Sequence, residues 1–375
     1  MIIQYPFTLQ DIIFFIFSGA LLLQLCYYSI IFIRLAFFKQ TYTQTQQQPV
    51  SVVICAKNEE FKLRKNLQLI LEQDYPNFEV VLVNDDSDDE TALFIQDLKK
   101  EYANLKFVNL TSTTTFFKGK KFPLSIGILC AKNEWLLLTD ADCAPASKNW
   151  LSQMQQNFTE TTNMVLGFGA YEKQSGLLNK LIRFDSFYIA LQYLSFAIVG
   201  MPYMGVGRNL AYRKSLFLKS KGFTSHYLIK SGDDDLFVNQ NATRKTTRIE
   251  INPEAFTVSE AKSTFEKWVF QKRRHLSTGT YYKFAHKLVL SLLSISQWLL
   301  FLSFAALLYF NYNIYIIASA FLLRLIMQIL VFKRVMDKIN NSDLIFFSIL
   351  FEIFFMIFNP IIYLSTLIRK PNSWK

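Results

Sequence analysis

Two kinds of hydrophobic patterning divide this chain. Long unbroken apolar blocks lie at both ends, and short apolar runs separated by polar turns fill the middle. Residues 12–33 carry no charge, which is long enough to span a bilayer. No Lys or Arg precedes them and no clear small-residue cleavage site follows, so they read as a retained anchor, not a cleaved signal peptide. Three further blocks stand at about 288–310, 314–332 and 344–368, the first two joined by a tight Asn311-Tyr312-Asn313 loop. Asn359-Pro360 could break the last block into a re-entrant or interfacial segment. Between the blocks, residues 50–55, 79–83, 105–108, 135–139 and 164–170 read as strands, and helical patterns lie between the earlier ones. Strands alternating with helices predict an α/β domain with a mostly parallel, Rossmann-like sheet. Residues 177–204 are apolar and aromatic but broken by Lys180, Arg183 and Asp185. They suit an amphipathic, interfacial helix, with plain core as the alternative. The predicted organisation is an anchor at 1–39, a Thr- and Gln-rich linker at 40–49, an α/β domain at 50–280 and a membrane region at 281–375.

Charge orients this arrangement. Arg34 and Lys39 follow the first block, which puts the amino terminus outside and the α/β domain on the cytoplasmic side of the cell membrane. Lys333, Arg334 and Lys338 fit a cytoplasmic loop, whereas a fourth crossing would leave Arg369, Lys370 and Lys375 outside. The net charge is +11, but the basic residues are dispersed and no nucleic-acid motif is recognisable. A basic face against anionic lipid is the simpler account, and no nucleic-acid partner is expected. The four cysteines form no Cys-x-x-Cys pair and only three His are present, which argues against zinc.

Candidate chemistry collects where strands end. The run Trp135-Leu136-Leu137-Leu138-Thr139 stops at Asp140-Ala141-Asp142. Open α/β sheets bind ligands at strand carboxyl ends, and residues i and i+2 of an extended chain point to one side. Two carboxylates so placed suit Mg²⁺ or Mn²⁺. A second acidic cluster opens with Asp85 after the strand at 79–83, and a third is Asp233-Asp234-Asp235. Both also suit plain helix N-termini. Lys118-Gly119-Lys120-Lys121 could hold a diphosphate or be simply solvated.

Taken in order, Val-Val-Ile-x-Ala-Lys-Asn-Glu, Val-Asn-Asp-Asp-Ser, Gly-Lys-Lys, Thr-Asp-Ala-Asp, the acidic cluster before Leu236, and Gln-x-x-Arg span about residues 50–280. This series resembles a membrane-anchored family-2 glycosyltransferase with a GT-A fold, related to polysaccharide synthases and lipid-directed transferases. The resemblance implies that Glu59 and Asp85 hold the nucleoside, Lys121 lies near the diphosphate, Asp140 contacts the sugar-nucleotide and Asp142 the metal. It makes Asp233 the general base, with Asp234 the rival, and has Gln271 and Arg274 close over donor and acceptor. Asn84 and Asp86 depart from the family's Val-Asp-Asp-Gly-Ser pattern, Gly232 stands at its usual Glu, and His275 at its Trp. The implied activity moves a sugar, with inversion, from a nucleotide-diphosphate donor to a lipid-linked or polysaccharide acceptor. The competing reading is a membrane transporter or scaffold with a non-catalytic nucleotide-sugar-binding domain. Arg324 and Glu352, charged residues within the predicted spans, are the feature that would favour it.

Overall fold

The computed structural model describes residues 7–42, 46–111, 119–229 and 231–368. Lys118 and the charged tail with Arg369, Lys370 and Lys375 lie outside them. The chain begins with α1 (Leu9–Cys26), which continues through a π turn, Tyr27–Phe32, into α2 (Ile33–Ala36). The linker leads to β1 (Val50–Ala56), α3 (Glu60–Leu71), β2 (Phe78–Asp85), α4 (Thr91–Glu101), β3 (Leu105–Leu110), α5 (Lys121–Cys130) and β4 (Trp135–Asp140). These are the predicted strand–helix repeats. Each helix covers the sheet with a narrow apolar stripe, as α3 does with Leu63, Leu67, Ile70 and Leu71.

The second half is less regular. It runs β5 (Cys143–Pro145), α6 (Trp150–Gln155), β6 (Met164–Leu166), β7 (Gly169–Tyr171), α7 (Leu177–Ile198), β8 (Leu210–Arg213), α8 (Lys214–Lys219), α9 (Asp235–Asn241), β9 (Thr247–Ile249), β10 (Thr257–Ser259) and α10 (Phe265–Leu276). The main sheet has the order β3-β2-β1-β4-β8-β6-β9. β3, β2, β1 and β4 are parallel, and β8 is antiparallel to both β4 and β6. A small sheet, β5-β10-β7, sits beyond the end of β4. The single strand expected at 164–170 is therefore two. The chain leaves the main sheet at Gly167, where a Cβ would meet the Asn209 side chain at 2.6 Å, and joins the small one.

Alternate residues of β1 feed two cores. Val53 and Cys55 face one, and Val52 and Ile54 the other. The first core runs on into α11 (Phe284–Tyr309), α12 (Ile314–Lys338) and α13 (Ser348–Ile368). Among the described residues, four helices are long and apolar enough to cross a membrane: Leu9–Ala36, Phe284–Tyr309, Ile314–Lys338 and Ser342–Ile368. The last runs unbroken through Pro360, so no break occurs at Asn359-Pro360.

Helix α7 is core, the alternative to an interfacial helix. It packs between the sheet and the spans, and the Phe184 ring meets Phe332, Phe351 and Phe355 at 5.4–6.2 Å. Two of the charges that made it look amphipathic, Arg183 and Asp185, are buried and paired, and the half-buried Lys180 lies 4.4 Å over the Phe347 ring. Arg183 donates to Asp343 at 2.6 and 2.8 Å, and Lys272 of α10 pairs with Asp185 at 2.6 Å.

Candidate active site

The site forms where the strand order turns back, at the carboxyl ends of β2, β1 and β4. The loops leaving β1 and β2 are bound to each other. The Asn58 amide nitrogen donates to Ser87 Oγ at 2.9 Å, and the Asp88 amide to Asn58 Oδ1 at 2.8 Å. Asn58 and Asp86 both take φ of 52°. Asp and Asn tolerate this left-handed conformation better than other non-glycine residues. Asp86 thus keeps the backbone that Gly would adopt. Gly232, at φ 91°, is fixed by a close approach: a Cβ there would lie 2.5 Å from the Leu236 side chain, so no Glu fits.

These turns present Glu59 beside Lys62, at 2.9 Å, and seat Asp85 almost fully buried at the end of β2. Burial raises the Asp85 carboxyl above the usual range, against the pull of Lys57. Its Oδ1 is buried without a hydrogen-bond partner among the described residues. A buried acceptor of this kind is costly unless a donor group meets it.

Asp140 and Asp142 leave the end of β4 as predicted. Asp140 accepts an ion pair from Lys120 at 2.5 Å, and the same ammonium reaches Asp233 at 3.2 Å. Burial opposes the charge on Lys120, but Asp140 and Asp233 outweigh it and hold its pKa well above the ordinary lysine value. Burial likewise pushes the Asp140 carboxyl up, and Lys120, Arg208 and Arg274 bring it below the ordinary value. Asp142 faces Lys62 at 3.7 Å. Asp140, Asp142 and Cys143 could offer ligand atoms within 4.8 Å of one another. Burial keeps the Cys143 thiol protonated, so the usable donors are the two carboxylates, a hard oxygen pair that fits Mg²⁺ or Mn²⁺.

The three consecutive acids diverge. Asp233 turns to Lys120. Asp234 accepts from the Gly207 amide at 2.7 Å, and burial with the charges of Asp233 and Asp235 lifts its carboxyl to about 7. Asp235 is held by the hydroxyls of Thr278 and Tyr282, on the segment leading into α11.

Lys121 does not face this centre. Its ammonium donates to the carbonyls of His226, Ile229 and Ser231 at 2.6–2.8 Å, and burial lowers its pKa to about 8. The lysine ion-paired to Asp140 and Asp233 is its neighbour Lys120, the N-cap residue of α5. Lys121 instead pins the loop ahead of Asp233. Gln271 and Arg274 lie one turn apart on α10. Gln271 reaches the Tyr171 hydroxyl at 3.5 Å, and Arg274 acts electrostatically on Asp140. Arg208, Lys62 and Tyr171 join the site without having been picked out from the sequence. Arg208 lies 4.3 Å over the Tyr171 ring and donates to the Gly169 carbonyl at 2.7 Å. Its signal was its place directly after Gly205-Val206-Gly207, and that of Lys62 was its spacing of three from Glu59 on a helix.

A doubly wound sheet with an Asp-x-Asp at the switch point and a small second sheet beside it is the GT-A class of fold. A solved structure of similar shape, the mannosyltransferase PcManGT from Pyrobaculum calidifontis in complex with GDP-Man and Mn²⁺, has a TM-score of 0.59 and 18% identity, covering 94% of this chain and 99% of that one. Residues 51–219 match the sequence profile of glycosyl transferase family 2. The Bacillus subtilis protein named "Probable glycosyltransferase YdaM" is 26% identical over 236 residues, 60% of this chain and 54% of its own length. The chain thus spans about half of that relative. A poly-β-1,6-N-acetyl-D-glucosamine synthase of Staphylococcus epidermidis is 34% identical over 97 residues, 26% of this chain and 22% of its own. A β-monoglucosyldiacylglycerol synthase of Trichormus variabilis is 33% identical over 100 residues, 26% of this chain and 21% of its own.

Proposed function

We propose that the protein transfers a sugar from a nucleotide-diphosphate donor to an acceptor hydroxyl, with inversion, at the cytoplasmic face of the cell membrane. The observation that carries this reading is the Lys120 ammonium shared between Asp140, at a strand end, and Asp233, on the opposite wall. A donor lying along the strand ends would have its leaving group against Asp140 and its sugar toward Asp233. Asp233 takes the proton as the acceptor oxygen attacks the anomeric carbon. Lys120 and Arg274 offset the charge that builds on the leaving diphosphate. Glu59 and the buried Asp85 accept hydrogen bonds from the nucleoside. A single base opposite the leaving group supports one displacement, hence inversion. Asp142 and Asp140 would hold the divalent ion, which adds positive charge at the diphosphate when bound.

The acceptor is a lipid-linked saccharide, another lipid or a growing polysaccharide. The four apolar helices favour a membrane-borne acceptor, and the Staphylococcus and Trichormus relatives, by their names, make a polysaccharide and a glycolipid. The transporter reading loses its motive. Arg324 and Glu352 close on each other, and Glu352 also accepts from Gln297 and Gln328 at 2.8 Å each. The test is purified protein in lipid, given a panel of nucleotide sugars with lipid-extract and oligosaccharide acceptors, with released nucleoside diphosphate measured. Acceptor-dependent release from one donor is expected. Stoichiometric binding of a nucleotide sugar without release under any acceptor would instead favour the non-catalytic reading.

A further inference from the structure

The loop between β10 and α10 carries a cation that the acidic centre does not account for. Strand register seats this loop at the site, because Ser259 of β10 pairs with Cys143, the neighbour of Asp142. Glu260 then fastens it to α3 through Lys65 at 2.7 Å, and Lys65 also takes Glu172 at 3.2 Å. One turn earlier on α3, Lys62 bridges Glu59 and Asp142. Two residues past Glu260 comes Lys262. It is half-buried and makes no hydrogen bond or ion pair among the described residues. The charges acting on it are those of Asp142, Lys62, Arg274 and Glu59.

This placement needs a reason. Lys262 lies just ahead of the N-cap Thr264 of α10, where the helix dipole disfavours a cation. Two of its four charged neighbours are cations, and burial adds to their effect, so its ammonium is held less readily than in water. Glu59 and Asp142 already have Lys62 between them. An anion entering between Lys62, Lys262 and Arg274 relieves the crowding of all three. Glu59 marks the nucleoside end of the site and Asp142 the phosphate end, and the group lying between those ends is the diphosphate.

We propose that Lys262 is a donor-binding residue that contacts the diphosphate of the nucleotide from the β10–α10 loop, opposite Lys120. This rests on the donor reading given under Proposed function. The test is calorimetric titration of the full-length protein in lipid nanodiscs with UDP, GDP, UMP and GMP at fixed Mg²⁺, for wild type, Lys262→Met, Lys262→Arg and the exposed-face control Lys267→Met. Wild type identifies the nucleotide. Lys262→Met should then weaken the diphosphate roughly ten- to a hundredfold, the range for a charge-assisted hydrogen bond, and the monophosphate by a clearly smaller factor. Lys262→Arg should recover most of the loss, and Lys267→Met should bind as wild type. Diphosphate affinity within about twofold of wild type in Lys262→Met overturns the assignment and leaves the donor reading intact. Equal losses in Lys262→Met and Lys267→Met also overturn it, since they would reflect net charge alone. Wild type that binds none of the four nucleotides overturns the donor reading and this inference together.

Discussion

Asp233 and its two neighbours show how one residue of register decides a role. Asp233 meets Lys120, Asp234 meets a backbone amide, and Asp235 meets two hydroxyls. Replacing Asp233 by Asn should leave nucleotide affinity close to wild type and lower turnover by roughly 10²–10⁴, the usual worth of a general base. Asp234→Asn should cost far less. Single-turnover transfer and calorimetry on both variants check this, and a dead Asp234→Asn beside an active Asp233→Asn would move the base by one position. Asp234 also gives a pH prediction. Its carboxyl titrates near 7 in the folded protein and near 4 in an unfolded chain, so the folded state binds more protons in between. Stability from this group is full below about 4 and is lost as pH rises through 7. Asp234→Asn should therefore gain melting temperature relative to wild type between pH 5 and pH 8, and a constant difference across that range would contradict it.

At the scale of elements, α10 joins the site to the membrane region. Gln271 and Arg274 act toward Tyr171 and Asp140, while Trp268 stacks on Phe358 of α13 at 5.3 Å and Arg273 donates to the Ser365 carbonyl at 3.1 Å. Between these faces Lys272 is buried against Asp185 of α7. Breaking a buried pair strands the remaining charge, at a cost of about 3–5 kcal/mol. Asp185→Leu should lower thermal stability accordingly and weaken donor binding by loosening α10. Adding Lys272→Met removes the stranded cation and should return most of the stability, measured as a double-mutant cycle. If the double variant is no more stable than the single one, α10 is held by its aromatic face and not by this pair.

For the whole molecule, one polar network ties the spans together. Glu352 of α13 accepts from Arg324 and Gln328 of α12 and Gln297 of α11, and Arg324 also donates to Gln24 of α1 at 3.2 Å. Gln24 also donates to the Leu293 carbonyl and Ser296 Oγ of α11 at 3.1 and 2.8 Å, and in an apolar surround such pairing specifies how the helices assemble. Two predictions belong here. Chelation should abolish transfer and Mg²⁺ or Mn²⁺ restore it, with Asp142→Asn losing donor affinity and rate together; full activity in chelator would remove the metal from the mechanism. Single cysteines placed in 46–48, on a background lacking Cys26, Cys55, Cys130 and Cys143, should resist a membrane-impermeant reagent in intact cells. Labelling there would invert the proposed topology.

The apolar runs of β1, β2 and β4 were legible because a strand buried on both faces needs an unbroken hydrophobic run, and the spans because a bilayer needs about 20 such residues. Two of the acidic clusters were legible because they follow apolar strand runs, β2 and β4, whereas Asp233-Asp234-Asp235 stands at the start of α9. What the sequence left open depended on neighbours distant along the chain. Whether α7 was interfacial or core turned on Asp343 and Lys272, the partners of its charges, which lie far away in sequence. The choice between Lys120, the N-cap of α5, and Lys121, its first residue, turned on which of them met Asp140 and Asp233, both far away in sequence. The break at Gly167 followed from Asn209, just ahead of β8. Local pattern determined which elements form and which chemistry they carry, because propensity and periodicity act over a few residues. Only the tertiary structure decided which side chains meet, because burial and pairing are set by elements that the chain brings together from afar.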